Sequence, residues 1–241
     1  MNKCTHCLKR LNNANKTRDH IFPKSWFPKN TPPTLSRWTV PCCNICNLKY
    51  QMIEDDLFVR WGIGINPEDY SVEGISEKAL NNISLESVND EKRFRRKLKA
   101  IESIIHDFRM YDPQNPQMKT LKGMTPLPGI RSHLAIRLPR ENLYGFSEKV
   151  IKGLEYKLRK KLVTKNRKII TYYVHEKDEE MEKHYSIWKQ LIATNEHNIN
   201  LGPAFMVKYG IDPRNEDTAI YNVKIWNHIE FWSWVSQAAK N

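Results

Sequence analysis

Apolar residues recur at helical spacing in two stretches of the N-terminal half. The first stripe ends before glycines 62 and 64 and consists of Tyr50, Ile53, Leu57 and Trp61. It predicts a helix over about 47–61. The second stripe predicts a helix over about 90–110 and consists of Phe94, Leu98, Ile101, Ile105 and Phe108.

The C-terminal half predicts helices mixed with strands. A helix capped by Ser147, a strand over 168–174 and a helix over 178–194 come first. Three apolar or alternating stretches then follow, at about 203–210, 218–226 and 228–235. We therefore expect an antiparallel sheet with helices on one face, in a chain of the α+β class.

Prolines and glycines suggest how the chain is divided. Prolines 23, 28, 32, 33 and 41 exclude a long helix from the first 46 residues, so short extended segments are expected there. The stretch 112–129 holds four prolines and two glycines, which is typical of a linker. We predict a first domain over 1–62, a helical segment and linker over 63–128, and an α+β domain over 129–241.

The charge of the chain favours an anionic partner. Lysine and arginine total 39 against 27 acidic residues, a formal net charge of +12. A nucleic acid fits this surplus, with an anionic membrane surface as the competing partner. No apolar run is long enough to span a bilayer and no signal-peptide core is present, so we expect a soluble, cytoplasmic protein without membrane contact.

All five cysteines lie in the first 46 residues, which argues against a disulfide framework for the whole fold. Two CxxC pairs, Cys4 with Cys7 and Cys43 with Cys46, have the spacing of a closed tetrahedral Zn²⁺ site. Such a site is structural, because it leaves no open position for water. Buried free thiols or a redox CxxC are the alternatives. Cys42 is expected to be a free or buried thiol.

The dipeptide Asp19-His20 is the candidate for chemistry outside that zinc site. Phosphodiester hydrolysis needs a base with a pKa near neutral and a hard divalent cation, and histidine and aspartate suit these two tasks. Neighbouring residues on a strand point to opposite faces, so the two side chains must have different roles. Without further context, such a dipeptide is more typical of a turn or a surface pair.

The order of motifs resembles the HNH endonuclease family, and specifically its members with zinc knuckles. The resemblance covers about residues 1–62. Its segments are Cys4-x-x-Cys7, Asp19-His20-Ile21-Phe22-Pro23-Lys24-Ser25, Val40-Pro41-Cys42-Cys43 and Cys43-x-x-Cys46-Asn47. The segment Asp19 to Trp26 is also similar to the HNH domain of RNA-guided CRISPR nucleases.

The resemblance implies a ββα-metal core and assigns the site. His20 would be the general base, and Asp19 and Asn47 would hold a catalytic Mg²⁺ or Mn²⁺ ion. Gln51 matches a position where some members have a second helix-borne ligand. One departure is Trp38, which stands where the family has an asparagine that braces the loop and the histidine.

We therefore predict a metal-dependent HNH endonuclease that hydrolyses DNA, nicking it as a monomer or cutting both strands as a homodimer. The alternatives are a non-catalytic zinc protein that binds nucleic acid and an RNase or toxin-like nuclease that acts on RNA. The residues predicted to contact nucleic acid are all basic: Lys24, Arg37, Lys149, Lys152, Lys157, Lys160 and Lys161.

Overall fold

The computed structural model describes residues 2–86, 88, 90–110, 112, 114–115, 118–121, 134–175, 185–186, 188–190 and 197–238. These residues form a mixed α+β fold in which short strands and helices precede a C-terminal antiparallel sheet. The α+β class is therefore confirmed. Within the described ranges, every helix is either too short or too polar to span a lipid bilayer.

The N-terminal segment is a two-stranded antiparallel sheet followed at once by a helix. Strand β1 (Lys16–His20) pairs with β2 (Thr39–Cys43), so that Asp19 lies opposite Val40 and His20 opposite Thr39. Helix α1 (Asn44–Gly64) begins directly after β2. The predicted helix is confirmed and is longer at both ends. It continues past Gly62 because its C-terminal half is buried on all sides, so the glycines do not stop it.

Two helices and a small sheet form the middle of the chain. Helix α2 (Ile75–Ile83) packs beside α1, and α3 (Glu91–His106) follows. The predicted helix over 90–110 is too long, because strand β3 (Phe108–Met110) starts after it and pairs antiparallel with β4 (Leu134–Ile136). Much of the predicted linker over 112–129 lies outside the described residues.

Helix α4 (Arg140–Arg159) leads into the C-terminal sheet. It starts seven residues before the predicted cap, and its N-cap residue is Pro139, whose backbone is extended. Ser147 lies inside the helix and donates a hydrogen bond to the Tyr144 carbonyl, so its prediction as a cap was wrong.

The sheet has five antiparallel strands in the order β5-β9-β8-β7-β6. The strands are β5 (Arg167–Tyr173), β6 (His197–Leu201), β7 (Phe205–Asp212), β8 (Asn215–Ile225) and β9 (Ile229–Gln237). Four of them were predicted within a few residues, and β6 was not. The predicted helix over 178–194 is described only at 185–186 and 188–190, which are helical.

Both faces of this sheet are apolar, contrary to the prediction of helices on one face. Tyr221 of β8 points towards α4, where its hydroxyl donates to Glu155. The opposite face carries Trp232, and the helical residues Tyr185 and Trp188 pack on it with ring centroids 5.5 and 5.8 Å away. Helical residues therefore lie on both sides of the sheet.

Glu155 anchors α4 to the sheet. Its carboxylate is fully buried and accepts from Arg159 Nη1 at 2.6 Å, Arg167 Nη1 at 2.7 Å and the Tyr221 hydroxyl at 2.7 Å. These three partners come from α4, β5 and β8. The buried charge is thus compensated by two guanidinium groups and one neutral donor.

The main hydrophobic core contains residues from both ends of the chain. Trp26 is fully buried at its centre, stacked on Phe146 of α4 with ring centroids 4.7 Å apart and edge-on to Trp61 of α1 at 5.2 Å. The Trp226 indole N–H donates to the Trp26 carbonyl at 2.6 Å. Residues of the predicted first and third domains therefore share one core, while the boundaries between them stay predictions.

Candidate active site

Four cysteine side chains converge where β2 meets α1. Cys43 ends β2, Cys46 lies in the first turn of α1, and Cys4 and Cys7 come from the segment before β1. Their sulfur atoms all lie within 4.8 Å of one another, and the Cys7 and Cys43 Sγ atoms are 3.7 Å apart. This group could hold a metal ion.

The electrostatics of Cys4 suit a metal ligand. Burial raises the pKa of its thiol, but nearby backbone N–H groups, including that of Cys43 at 3.4 Å from Sγ, outweigh burial and lower the pKa to about 7. The thiolate is the form that binds metal.

Cys42 and His6 lie beside this group. The Cys42 thiol is buried, donates to the Cys43 carbonyl at 3.2 Å, and has a pKa strongly raised by burial. His6 is 5% exposed, and its Nε2 lies 2.8 Å from Asp19 Oδ2. His6 therefore turns into the protein and connects the cysteine segment to β1.

An open cleft of about 760 Å³ contains the predicted catalytic residues. β1, the loop after it, α1 and α2 all contribute to its wall. Asp19, His20, Asn47 and Gln51 line it together with the predicted nucleic-acid residues Lys24 and Arg37. The structure thus brings together residues that are up to 32 positions apart in the chain.

His20 has the properties of a general base. It is partly exposed at the end of β1, and its ring makes no hydrogen bond to another residue of the described ranges. Burial, with the nearby charge of Lys149 as the next cause, lowers the pKa of His20 below its ordinary value of 6.5. The imidazole is therefore neutral near pH 7 and can accept a proton.

Both carboxylate oxygens of Asp19 already have partners. Oδ2 accepts from His6, and Oδ1 lies 3.1 Å from the Lys149 ammonium. Burial disfavours the ionised form of Asp19, but His6 and Lys149 outweigh burial and lower the pKa of its carboxyl. Asp19 is therefore an ionised and buried carboxylate.

Lys149 does not lie on the surface, contrary to its prediction as a nucleic-acid contact. It is fully buried on α4, and its ammonium contacts Asp19, the Glu54 carboxylate and the His20 carbonyl. Burial raises the pKa of Glu54 to about 7, although the charge of Lys149 opposes this shift.

A divalent ion held by Asp19 and Asn47 does not fit this arrangement of side chains. An ion at Asp19 would have to displace either His6 or Lys149 from the carboxylate, and the Lys149 ammonium would repel it. Asn47 and Gln51 line the cleft from α1.

The other basic residues predicted on α4 and after it do not line the cleft. Lys152 donates to the His6 carbonyl at 3.0 Å and borders a separate cavity of about 380 Å³. Lys157 lies 5.7 Å from the centre of the Trp38 ring, Lys160 caps α4, and Lys161 pairs with Asp217 at 2.8 Å.

Several residues of the cleft were not predicted from the sequence. Glu54 and Asp55 of α1 line it, as do Lys29 and Lys78. A signal for the acidic pair was present, because Asn47, Gln51 and Glu54 recur at helical spacing and share one helix face. The two lysines are brought in by the loop after β1 and by α2, which sequence periodicity does not locate.

Trp38 braces the loop after β1 through its backbone. Its carbonyl accepts from the Ile21 N–H at 2.9 Å, which extends the β1–β2 pairing by one bond beyond His20. Asn30, in the same loop, donates to the Tyr70 carbonyl at 2.8 Å and does not line the cleft.

Comparisons with protein-family models, curated proteins and solved structures gave no match for this chain. The resemblance to HNH endonucleases therefore rests on the sequence motifs and stays a prediction.

Proposed function

We propose that the protein is an HNH-type endonuclease that hydrolyses DNA phosphodiester bonds in the cleft, with His20 as the general base. The observation that supports this most strongly is the neutral His20 imidazole, which has no hydrogen-bond partner among the described residues and lies in a cleft bordered by basic side chains. A base in this state can activate water at physiological pH.

The reaction requires one proton to leave the attacking water. His20 takes this proton, the water oxygen bonds to phosphorus, and the bond from phosphorus to the leaving oxygen breaks. Solvent supplies the proton that the leaving oxygen gains. The Mg²⁺ or Mn²⁺ ion that the resemblance implies does not fit at Asp19, whose two oxygens are occupied, so this step uses only residues of the chain and water.

Basic side chains at the cleft are suited to hold the DNA backbone. Lys24 and Lys29 are exposed, and Arg37 is partly exposed, with its guanidinium 5.2 Å from the centre of the Phe27 ring. Lys29 is paired with Glu77, so Lys24 and Arg37 are the stronger candidates for phosphate contacts.

We further propose that Cys4, Cys7, Cys43 and Cys46 bind a structural Zn²⁺ ion. Four sulfur ligands within mutual reach support a closed tetrahedral site. Such an ion would tie the start of α1 to the segment before β1. It would thereby fix Asn47, one residue after Cys46, relative to His20.

Cleavage of supercoiled plasmid tests the proposal. Wild type, His20→Ala and the control His197→Ala are incubated with Mg²⁺, with Mn²⁺ and with EDTA. His197 is exposed on β6 and stacks on Tyr209, outside the cleft. We expect at least a hundredfold loss of cleavage in His20→Ala alone, within the ~10²–10⁴-fold range of general-base catalysis. Equal cleavage by all three proteins, or cleavage by none, would contradict the proposal.

Two observations favour a second candidate, a non-catalytic zinc protein that binds nucleic acid. The occupied oxygens of Asp19 and the tryptophan at position 38 both depart from what the resemblance implies for a working site. This candidate predicts salt-sensitive DNA binding that His20→Ala leaves unchanged, without cleavage by any variant. Parallel assays with RNA distinguish DNase from RNase activity.

A further inference from the structure

Lys149 is a buried cation in a cluster of oxygen atoms. Its side chain has no solvent exposure, and its ammonium lies against Asp19 Oδ1, the Glu54 carboxylate and the His20 carbonyl oxygen. An ammonium group has three N–H donors, and the cluster provides three acceptors. The ammonium donates to the Glu54 carboxylate and the His20 carbonyl and forms an ion pair with Asp19 Oδ1 at 3.1 Å, so the buried charge is compensated.

The three acceptors all belong to residues that line the cleft. Asp19 and His20 come from β1 and Glu54 from α1, whereas Lys149 reaches them from α4 on the interior side. Carboxylate and carbonyl oxygens are also the ligands that hard divalent cations prefer. The cluster thus has the oxygen ligands of a cation site, and the Lys149 ammonium of the protein itself occupies the place of the cation.

We propose that the Lys149 ammonium is the resident cation of this cluster, so that Asp19 and Glu54 do not bind a divalent ion in the wild-type protein. A divalent ion a few ångströms from the ammonium would be repelled, and the two positive charges would compete for the same carboxylates. Lys149 is then a positioning residue, because its bond to the His20 carbonyl holds the end of β1 beside α1.

This inference rests on the proposed function in treating the cleft as the catalytic site, but its test needs no substrate. Binding of Mn²⁺ to the full, zinc-loaded chain is measured by electron paramagnetic resonance. The variants are Lys149→Met, which removes the charge at similar length, and the same variant combined with Glu54→Gln. Lys152→Met is the control, since its lysine lies one turn further along α4 and pairs with Glu148 instead.

We expect Lys149→Met to bind Mn²⁺ at least tenfold more tightly than wild type, and Glu54→Gln to remove that gain. Lys152→Met should bind like wild type. If Lys149→Met retains its zinc and its circular dichroism spectrum but shows no gain, the proposal is wrong.

A comparison without Lys149→Met covers the case in which this variant fails to fold. In the wild-type background, Glu54→Gln and Asp19→Asn should leave Mn²⁺ binding unchanged, because neither carboxylate is a ligand. A tenfold weakening by either substitution would show that the ion displaces Lys149 and would overturn the proposal. Plasmid cleavage is measured separately, so a failure of the nuclease proposal gives a different result from a failure of this one.

Discussion

Replacing Glu155 by glutamine should destabilise the protein strongly, although the two side chains have nearly the same size. Glu155 is fully buried, and the side chains of Arg159 and Arg167 are only 4% and 7% exposed. The glutamine carbonyl can still accept from Arg159 and Tyr221. Its amide group, however, must face the Arg167 guanidinium, which has only donors.

The size of the effect follows because Glu155 is the one negative charge among the four side chains Glu155, Arg159, Arg167 and Tyr221. Removing one partner of a buried ion pair costs about 3–5 kcal/mol, because the remaining charge is left uncompensated away from water. If the free energy of unfolding falls by about 3 kcal/mol per molar urea, this cost lowers the urea concentration at the unfolding midpoint by roughly 1–2 M.

Glu148→Gln is the matched control on the same helix. Glu148 pairs with Lys152 at 2.6 Å, but its side chain is 46% exposed, so solvent screens the pair. A pair of this kind contributes about 0–1 kcal/mol. Urea unfolding of both variants in the same zinc-containing buffer, followed by tryptophan fluorescence, compares them. Equal midpoints for Glu155→Gln and Glu148→Gln would refute the reasoning about burial.

Three further predictions concern the metal, the base and the DNA contacts. Cys46→Ser should lower the zinc content well below one ion per chain, whereas Cys42→Ser should leave it unchanged, as mass spectrometry of the native protein can show. Cleavage should fall at acid pH as His20 becomes protonated. Because the pKa of His20 is lowered, the midpoint of this decrease should lie below pH 6.5. A midpoint above pH 6.5 contradicts the assignment of His20 as the base. Lys24→Ala and Arg37→Ala should each weaken DNA binding and reduce the slope of log affinity against log salt by about 1, and an unchanged slope would exclude a phosphate contact.

Much of the N-terminal arrangement could be predicted because its signals are local. The CxxC spacings place two thiols on each turn, and the stripe from Tyr50 to Trp61 marks α1. The resemblance that these motifs carry also implied that His20 and Asn47 share one site, and both residues line the cleft. Each inference needs only residues that are close in the chain or joined by one pair of strands.

The contacts of Lys149 could not be predicted because they depend on the packing of α4. A lysine within a basic helix normally faces solvent, and the sequence contains no sign that this one meets Asp19 from 130 residues away. The second apolar face of the sheet was missed for a related reason. Strands with tryptophan and isoleucine on both sides match the pattern of a buried core as well as that of a one-sided sheet.

The position of Trp26 limits how the first 62 residues can be studied or reused. A fragment that ends after α1 would expose the ring faces that Trp26 and Trp61 now bury against Phe146, and Trp26 would lose the bond from Trp226. Exposed aromatic surface of this kind promotes aggregation. The cysteine segment and the cleft therefore do not form a unit that can be moved alone. Grafting them onto another protein would require new apolar partners for both tryptophans.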